Sequence, residues 1–365
     1  MKMLMKMTVL FVPLVFHKPA IAQKISEQTK HHKISAEVVV SDLNNPWAIV
    51  PAPDGRFYIT ETGGTIRILE GGKLSPSLQG IPAVAEVGQG GLLDLAFHPD
   101  FKKNQFVYLA YTVAPENKAR TRISRFRLDG NRLTDMHPIL ADGAIGTDGA
   151  HFGCRLVFAK DGKLYATLGE RHQRDLAQNL GQLHGKVLRF NDDGSIPKDN
   201  PFFNTANARK EVFSYGHRNP QGLDMHPETG ELYVTEHGPS GNDAPGGGDE
   251  INLLIAGANF GWPVVHHEMS KQGMVSPIKE YTPALAPSGS VFYKGDKLPA
   301  WKNDYFFANL RGESLMRVRL SGATLVEEEK LLKGKFGRLR DVANGADGNL
   351  YVLSQEGQVI RVSIQ

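Results

Sequence analysis

His151, Gln89, Arg218, Asn219, Arg338 and Arg340 are the residues of this chain best placed for chemistry, because one register brings them together. Short turns recur at Asp54-Gly55, Asp161-Gly162, Thr229-Gly230 and Asp347-Gly348. Counting nine residues back from the residue before the turn acid reaches Asn44, Gly90, His151, Arg218 and Gly337 in five repeats, with Gln89, Asn219, Arg338 and Arg340 within a few residues. A neutral imidazole accepts a proton near physiological pH, so His151 is a candidate general base, and Glu170 is placed to hold its other ring nitrogen and fix the tautomer. Taken alone, His151 reads equally as a hydrogen-bonded structural histidine. Arg218, Arg338 and Arg340, together with Arg311, gather guanidinium groups where few acids are available. Buried arginines need protein carboxylates or an anionic ligand, and a small ligand with several carboxylates or phosphates fits them. The loop Glu236-His237-Gly238-Pro239, running on to Gly246-Gly247-Gly248-Asp249-Glu250, is rich in oxygen. Glycine lets carbonyls turn inward toward a hard cation such as calcium, although such loops also serve as plain turns.

The elements that must position these residues repeat six times. Aromatic-rich strands are expected at Arg56 to Thr60, Gln105 to Tyr111, Lys163 to Leu168, Glu231 to Glu236, Asp304 to Asn309 and Asn349 to Ser354, each alternating apolar and polar residues. Each is followed by a branched-aliphatic strand, at Thr65 to Leu69, Thr121 to Leu128, Lys186 to Phe190, Glu250 to Leu254, Ser314 to Leu320 and Gln358 to Ile364. Small meanders repeating at this spacing predict an all-β, six-bladed β-propeller of four-stranded antiparallel blades. Ile34 to Val40 is a strand without a blade and the last repeat ends at its third strand, so the N-terminal strand is expected to close the ring and hide two sheet edges. Inner strands then line a channel whose mouth carries the residues named above.

The 365 residues divide into a leader at 1–22, a flexible lead-in at 23–33 and a propeller at 34–365. Lys2 and Lys6 precede an apolar run from Met7 to Phe16, and Ala20-Ile21-Ala22 before Gln23 has the small-x-small pattern of signal-peptidase cleavage. The run is too short for a stable membrane anchor, so a periplasmic or secreted location is expected. Those residues carry three lysines (Lys2, Lys6, Lys18) and no acid, so without them the formal charge falls from +3 to zero. This gives no electrostatic case for nucleic acid or an anionic membrane. The single Cys154 makes no intramolecular disulfide and reads as a buried small apolar residue. His98, His226, His266 and His267 read as turn or surface residues.

Five ordered blocks together resemble a known family, the soluble calcium-dependent quinoprotein sugar dehydrogenases that use pyrroloquinoline quinone (PQQ), in their aldose sugar dehydrogenase branch. The blocks are Gly88-Gln89-Gly90-Gly91-Leu92-Leu93 with Ala96-Phe97-His98-Pro99-Asp100-Phe101, His151 with Arg155-Leu156, Gly216 to Gly222, Glu236-His237-Gly238-Pro239 with Asp249-Glu250-Ile251-Asn252, and Arg338 to Val342. The resemblance implies that His151 takes the proton of a sugar's anomeric hydroxyl while hydride passes to the quinone, and that Glu170 orients this base. It places Gln89 and Asp249 near the substrate, and Arg218, Asn219, His237, Arg311, Arg338 and Arg340 around the quinone and its carboxylates. It gives the carbonyls of Gly238 and Pro239 to calcium. The implied partners are an aldose mono- or oligosaccharide and a respiratory electron acceptor, with no nucleic acid and no membrane insertion.

His237 stands where the glucose-oxidising branch has glutamine, Asp243 to Gly248 lengthens its loop, and Ala284 to Gly289 lacks the covering aromatics of that branch. A more open site and broad aldose specificity are the expectation. Two other readings stay open at this stage. One is a non-catalytic propeller that binds glycans or proteins; the other is a calcium-dependent lactonase, against which stands a mouth carrying arginines instead of a ring of carboxylates.

Overall fold

The structure is a computed structural model that describes residues 23–146, 148–240, 244 and 246–365. The leader read at 1–22 and Asp243 of the lengthened loop lie outside the described residues. Six antiparallel sheets follow one another around a ring. The first four-stranded blade is Pro46–Pro51, Phe57–Glu61, Thr65–Glu70 and Lys73–Leu74. The inner strands of the second to sixth blades are Leu92–Phe97, Leu156–Phe158, Asn219–Met225, Pro287–Phe292 and Leu339–Asn344. In the sixth, Lys33–Val40 pairs with Val359–Ile364 from Ile34↔Ile364 to Val40↔Val359, which closes the ring as expected.

The lead-in expected at 23–33 is a correction. Lys24–Gln28 forms a fifth, outermost strand on the last blade, in register Lys24↔Glu37 to Gln28↔Lys33. Thr29 Oγ1 donates to His32 O at 2.7 Å and tightens the turn, while the His32 ring packs edge-on against Trp301 at 5.3 Å. The polar composition that reads as flexible is that of an edge strand with one face in water.

All six second strands begin one residue later than the sequence pattern indicates, at Phe57, Phe106, Leu164, Leu232, Tyr305 and Leu350. At four of them the turn explains this. The N–H groups of Arg56, Lys163 and Asn349 donate to the carboxylates of Asp54, Asp161 and Asp347, and that of Glu231 to Thr229 Oγ1, so these residues belong to the turn and not to the ladder. Gly55, Gly162, Gly230 and Gly348 take φ between +74° and +88° there, which a side chain would strain.

The core is a ring of blade-to-blade interfaces. Tyr233, Ile251, Phe292, Tyr305 and Phe307 fill one of them, and Ile49, Phe57, Ile59, Leu353 and Val359 another. Buried polar bonds fix the spacing between blades. Thr60, Thr167 and Thr235 on second strands donate to Leu93 O, Pro220 O and Ser288 O on the next blade's inner strand, at 2.5, 2.9 and 3.0 Å. Asp94, Asp224 and Asp341 accept from the N–H groups of Leu156, Phe292 and Ile49.

Arg155 occupies the axis. Its Nη1 reaches Asp94 at 3.2 Å and Asp341 at 3.1 Å, its Nε donates to Gln221 O at 3.1 Å, and its guanidinium lies 4.3 Å from the Trp47 ring centroid. Five blades therefore meet on one cation, and this plug divides the channel. Cys154 beside it is fully buried, as expected.

Candidate functional site

The mouth above Arg155 is built from the starts of inner strands and the ends of second strands. His151 sits just before the third blade's inner strand with φ +52°, and its backbone N–H donates to Gln89 Oε1 at 3.0 Å. Its Nδ1 lies 2.7 Å from Glu170 Oε2. Glu170 follows the second strand Leu164–Leu168 and is itself anchored through its N–H to Arg218 O at 2.8 Å. Burial holds the His151 imidazole below its usual range, opposed by the Glu170 carboxylate. The ring is thus neutral at physiological pH, with its Nδ1 proton on Glu170 and Nε2 left as acceptor.

A cavity of about 490 Å³ adjoins this pair, walled by Gln89, Gln221, His237, Ala286, Arg311, Arg338 and Arg340. The cavity thus brings together Gln89, Arg338 and Arg340 of the register argument with Arg311 and with His237, which the resemblance added. His151, Glu170, Arg218 and Asn219 form a more deeply buried group beside it. Two contacts join the groups: Gln89 on His151, and Arg218 Nη1 donating to His237 O at 3.1 Å.

The electrostatics of the mouth are those of a site for an anion. Arg340 donates Nη1 to Gln221 Oε1 at 3.0 Å and Ser288 Oγ at 3.4 Å, and its buried Nε has no partner. Desolvation, reinforced by Arg155 and Arg338, lowers its pKa to about 10. Arg338 Nε bonds the neutral Gln355 at 2.7 Å. Burial also lowers Arg218 to about 10 and depresses His237 strongly. Asn219 Nδ2, His237 Nε2 and Glu170 Oε1 are further buried atoms without partners among the described residues. Unpaired buried polar atoms are costly. A donor at Arg340 in a cavity with two more arginines, and one at Asn219 beside it, suit an oxygen-rich polyanion.

Asp249, expected near the substrate, is held by backbone donors. Its Oδ1 accepts from Gly238 N at 2.9 Å, and its Oδ2 from Leu285 N at 2.6 Å and Ala286 N at 2.7 Å. The carboxyl is fully buried and, despite those donors, burial raises its pKa to about 6. It clamps the Gly238 loop against the Ala284–Gly289 segment and presents no group to the cavity.

Gly238 needs to be glycine for a steric reason. A Cβ there would stand 2.1 Å from Gly248 O and 2.4 Å from Gly247 O. The Gly247 and Gly248 carbonyls therefore face the Gly238 position, and carbonyl oxygen is the donor type that hard cations take. His267, read as a surface residue, bonds Gly246 O through Nε2 at 2.7 Å and buttresses this loop. Among the described residues no cluster of three or more His, Cys, Asp or Glu side chains is arranged to hold a metal.

Sequence reasoning left two groups without a role. Arg155 stands in a quoted block, but only the fold reveals its axial place. His172 packs against His151 and is held by Asp148, and the nearness of His172 to Glu170 in sequence was the available signal.

The pattern of the family described as Glucose / Sorbosone dehydrogenase matches residues 43–361. The chain is 38% identical over 350 residues to the aldose sugar dehydrogenase YliI of Escherichia coli, covering 90% of this chain and 93% of that one. It is 30% identical to quinoprotein glucose dehydrogenase B of Acinetobacter calcoaceticus, over 90% of this chain and 86% of the relative. The PQQ-bound aldose sugar dehydrogenase of Streptomyces coelicolor superposes with a TM-score of 0.77 at 29% identity, covering 92% and 99% of the two chains. The six-bladed ring, its arginine-lined mouth and these matches agree: the chain belongs to the glucose/sorbosone dehydrogenase family of sugar oxidoreductases.

Proposed function

We propose that the protein oxidises the anomeric hydroxyl of aldose sugars to the lactone, with pyrroloquinoline quinone as cofactor and calcium beside it. The observation that carries this is the pairing of a neutral, carboxylate-oriented His151 with a cavity whose Arg311, Arg338 and Arg340 meet no carboxylate in an ion pair among the described residues. A tricarboxylate supplies their counter-ions, and quinoprotein relatives matched over most of both chains support the assignment. Arg340, Asn219 and Arg338, with Arg311 and His237, would hold the quinone, and the carbonyls of Gly238 and Pro239 would hold calcium. When bound, the quinone supplies a two-electron acceptor for the hydride that leaves the sugar's C1, with the cation as Lewis acid.

The chain's own part is proton chemistry and positioning. His151 Nε2 takes the hydroxyl proton as the C1–O bond gains carbonyl character. Its Nδ1–H stays on Glu170, whose charge stabilises the imidazolium that forms. Gln89, on the backbone of His151 and on the cavity wall, keeps the two halves of the site in register.

The wall formed by Ala286 and Leu310 is apolar but not aromatic, which favours broad aldose specificity, oligosaccharides included. We also propose export to the periplasm and reoxidation by a respiratory carrier, on the strength of the leader. No described helix is long and apolar enough to cross a membrane. An aldose panel with analysis of the product tests the substrate reading. Comparable turnover of several aldoses to lactones supports it, and strict preference for glucose contradicts its breadth.

A further inference from the structure

Beside the base lies a second histidine that neither the cavity nor the cation loop uses. The His172 ring stands edge-on to the His151 ring, with centroids 4.1 Å apart and planes at 78°. Its backbone N–H donates at 2.8 Å to Glu170 Oε2, the same oxygen that takes His151 Nδ1 at 2.7 Å. Its own Nδ1 is held by Asp148 Oδ2 at 2.5 Å. The His172 and Asp148 side chains are 46% and 44% exposed, whereas that of His151 is 7% exposed, so the pair forms the layer between the base and water. Arg171 and His172 both take positive φ, +58° and +56°, a backbone course that extended strand would not give and that turns the His172 N–H to Glu170.

We infer that His172, anchored by Asp148, is the positioning residue of the base: its ring seals one face of the His151 imidazole from water, and its backbone holds the carboxylate that orients it. The groups facing His151 are Glu170 and His172 from the third blade and Arg218 and His237 from the fourth. Arg171 lies behind, bonded to the carbonyls of Ala150 and Asp148. Of the influences on His151, burial is the largest, and the charge that His172 can carry acts in the same direction. Removing the ring therefore admits water to the base, brings its pKa up toward the ordinary value and moves the acid limb of activity to higher pH. A phenylalanine keeps the cover and most of the effect.

The inference rests on His151 as the base only for its catalytic consequence; its test needs neither sugar nor cofactor. Histidine-selective 13C labelling, with the His151 resonance assigned by its loss in His151→Gln, gives the protonation midpoint of that ring in the full-length protein. In His172→Ala the midpoint rises by about one pH unit, a fraction of what full burial can produce; in His172→Phe it stays near that of the parent. A folded His172→Ala with an unmoved midpoint, or an equal rise in both variants, overturns the inference. Asp148→Ala supplies an independent reading, because it removes the acceptor that holds the ring and leaves the His172 backbone in place. Faster solvent exchange of the His151 Nδ1 proton supports the seal, and unchanged exchange overturns it.

Discussion

His151 Nδ1 lies 2.7 Å from Glu170 Oε2, in a pocket where the carboxylate is fully buried and the imidazole nearly so. This contact fixes the tautomer of His151, the base in the proposed reaction, and opposes the effect of burial on its charge. Because burial depresses the His151 pKa, its neutral, active form persists to lower pH than that of a solvated imidazole. Activity is lost as pH falls through that depressed value. Glu170→Gln removes the influence that opposes the depression, so the acid limb moves to still lower pH while kcat falls because the imidazolium loses its counter-charge. His151→Gln lowers kcat by about 10²- to 10⁴-fold, the usual worth of a positioned base. A pH–rate profile of both variants with cofactor binding monitored separately checks this. Unchanged kcat in His151→Gln contradicts the base assignment.

Arg340 is a cation bonded only to neutral oxygens. Arg340→Gln lessens a desolvation cost, so it leaves the thermal midpoint of the cofactor-free protein unchanged or raises it. The same change weakens quinone affinity by roughly 10- to 100-fold, the worth of one charge-assisted bond. Opposite movement of the two quantities marks a binding residue, and a parallel loss of both marks a structural one.

Much of this was legible in sequence, for a physical reason. The Asp-Gly turns and period-two strands are local signals, and in a propeller the distance from turn to channel mouth is fixed by strand length. Counting residues therefore located His151, Gln89, Arg338 and Arg340. The clamp at Asp249 was not legible, because a carboxylate's partners depend on which backbone N–H groups the loop folds toward it, and Gly238, Leu285 and Ala286 come from two segments. Lys24–Gln28 was misread because an edge strand carries no apolar run. Arg155 had no local signal at all, since its partners lie on other blades.

Arg155 neutralises two carboxylates that the axis buries, Asp94 and Asp341. Arg155→Met leaves them uncompensated and destabilises the protein by about 3–5 kcal/mol. Burial has already raised Asp94 to about 6. Without Arg155 it rises further, so protonation in the variant restores part of the loss as pH falls toward 6, above the range where the parent's Asp94 titrates. Denaturant melts of the variant at pH 8 and pH 5 show this as a smaller stability gap from the parent at the lower pH, while a constant gap refutes it.

Gly238→Ala places a methyl 2.1 Å from the Gly248 carbonyl oxygen. The loop must open, at a cost of about 1–3 kcal/mol. The Gly247 and Gly248 carbonyls are then spread apart. Calcium titration of the quinone-reconstituted variant is expected to need at least about tenfold more metal, the loss of about 1.4 kcal/mol of binding. An unchanged calcium requirement would remove Gly238 from the proposed cation site.

The central claim is that the arginine-lined mouth beside His151 is a quinone site serving sugar oxidation. The most direct measurement is dye reduction by the purified protein with an aldose panel, before and after addition of pyrroloquinoline quinone and calcium. The account predicts activity that appears only when both are present. Complete inactivity under those conditions, together with no thermal shift on adding the quinone, would contradict it.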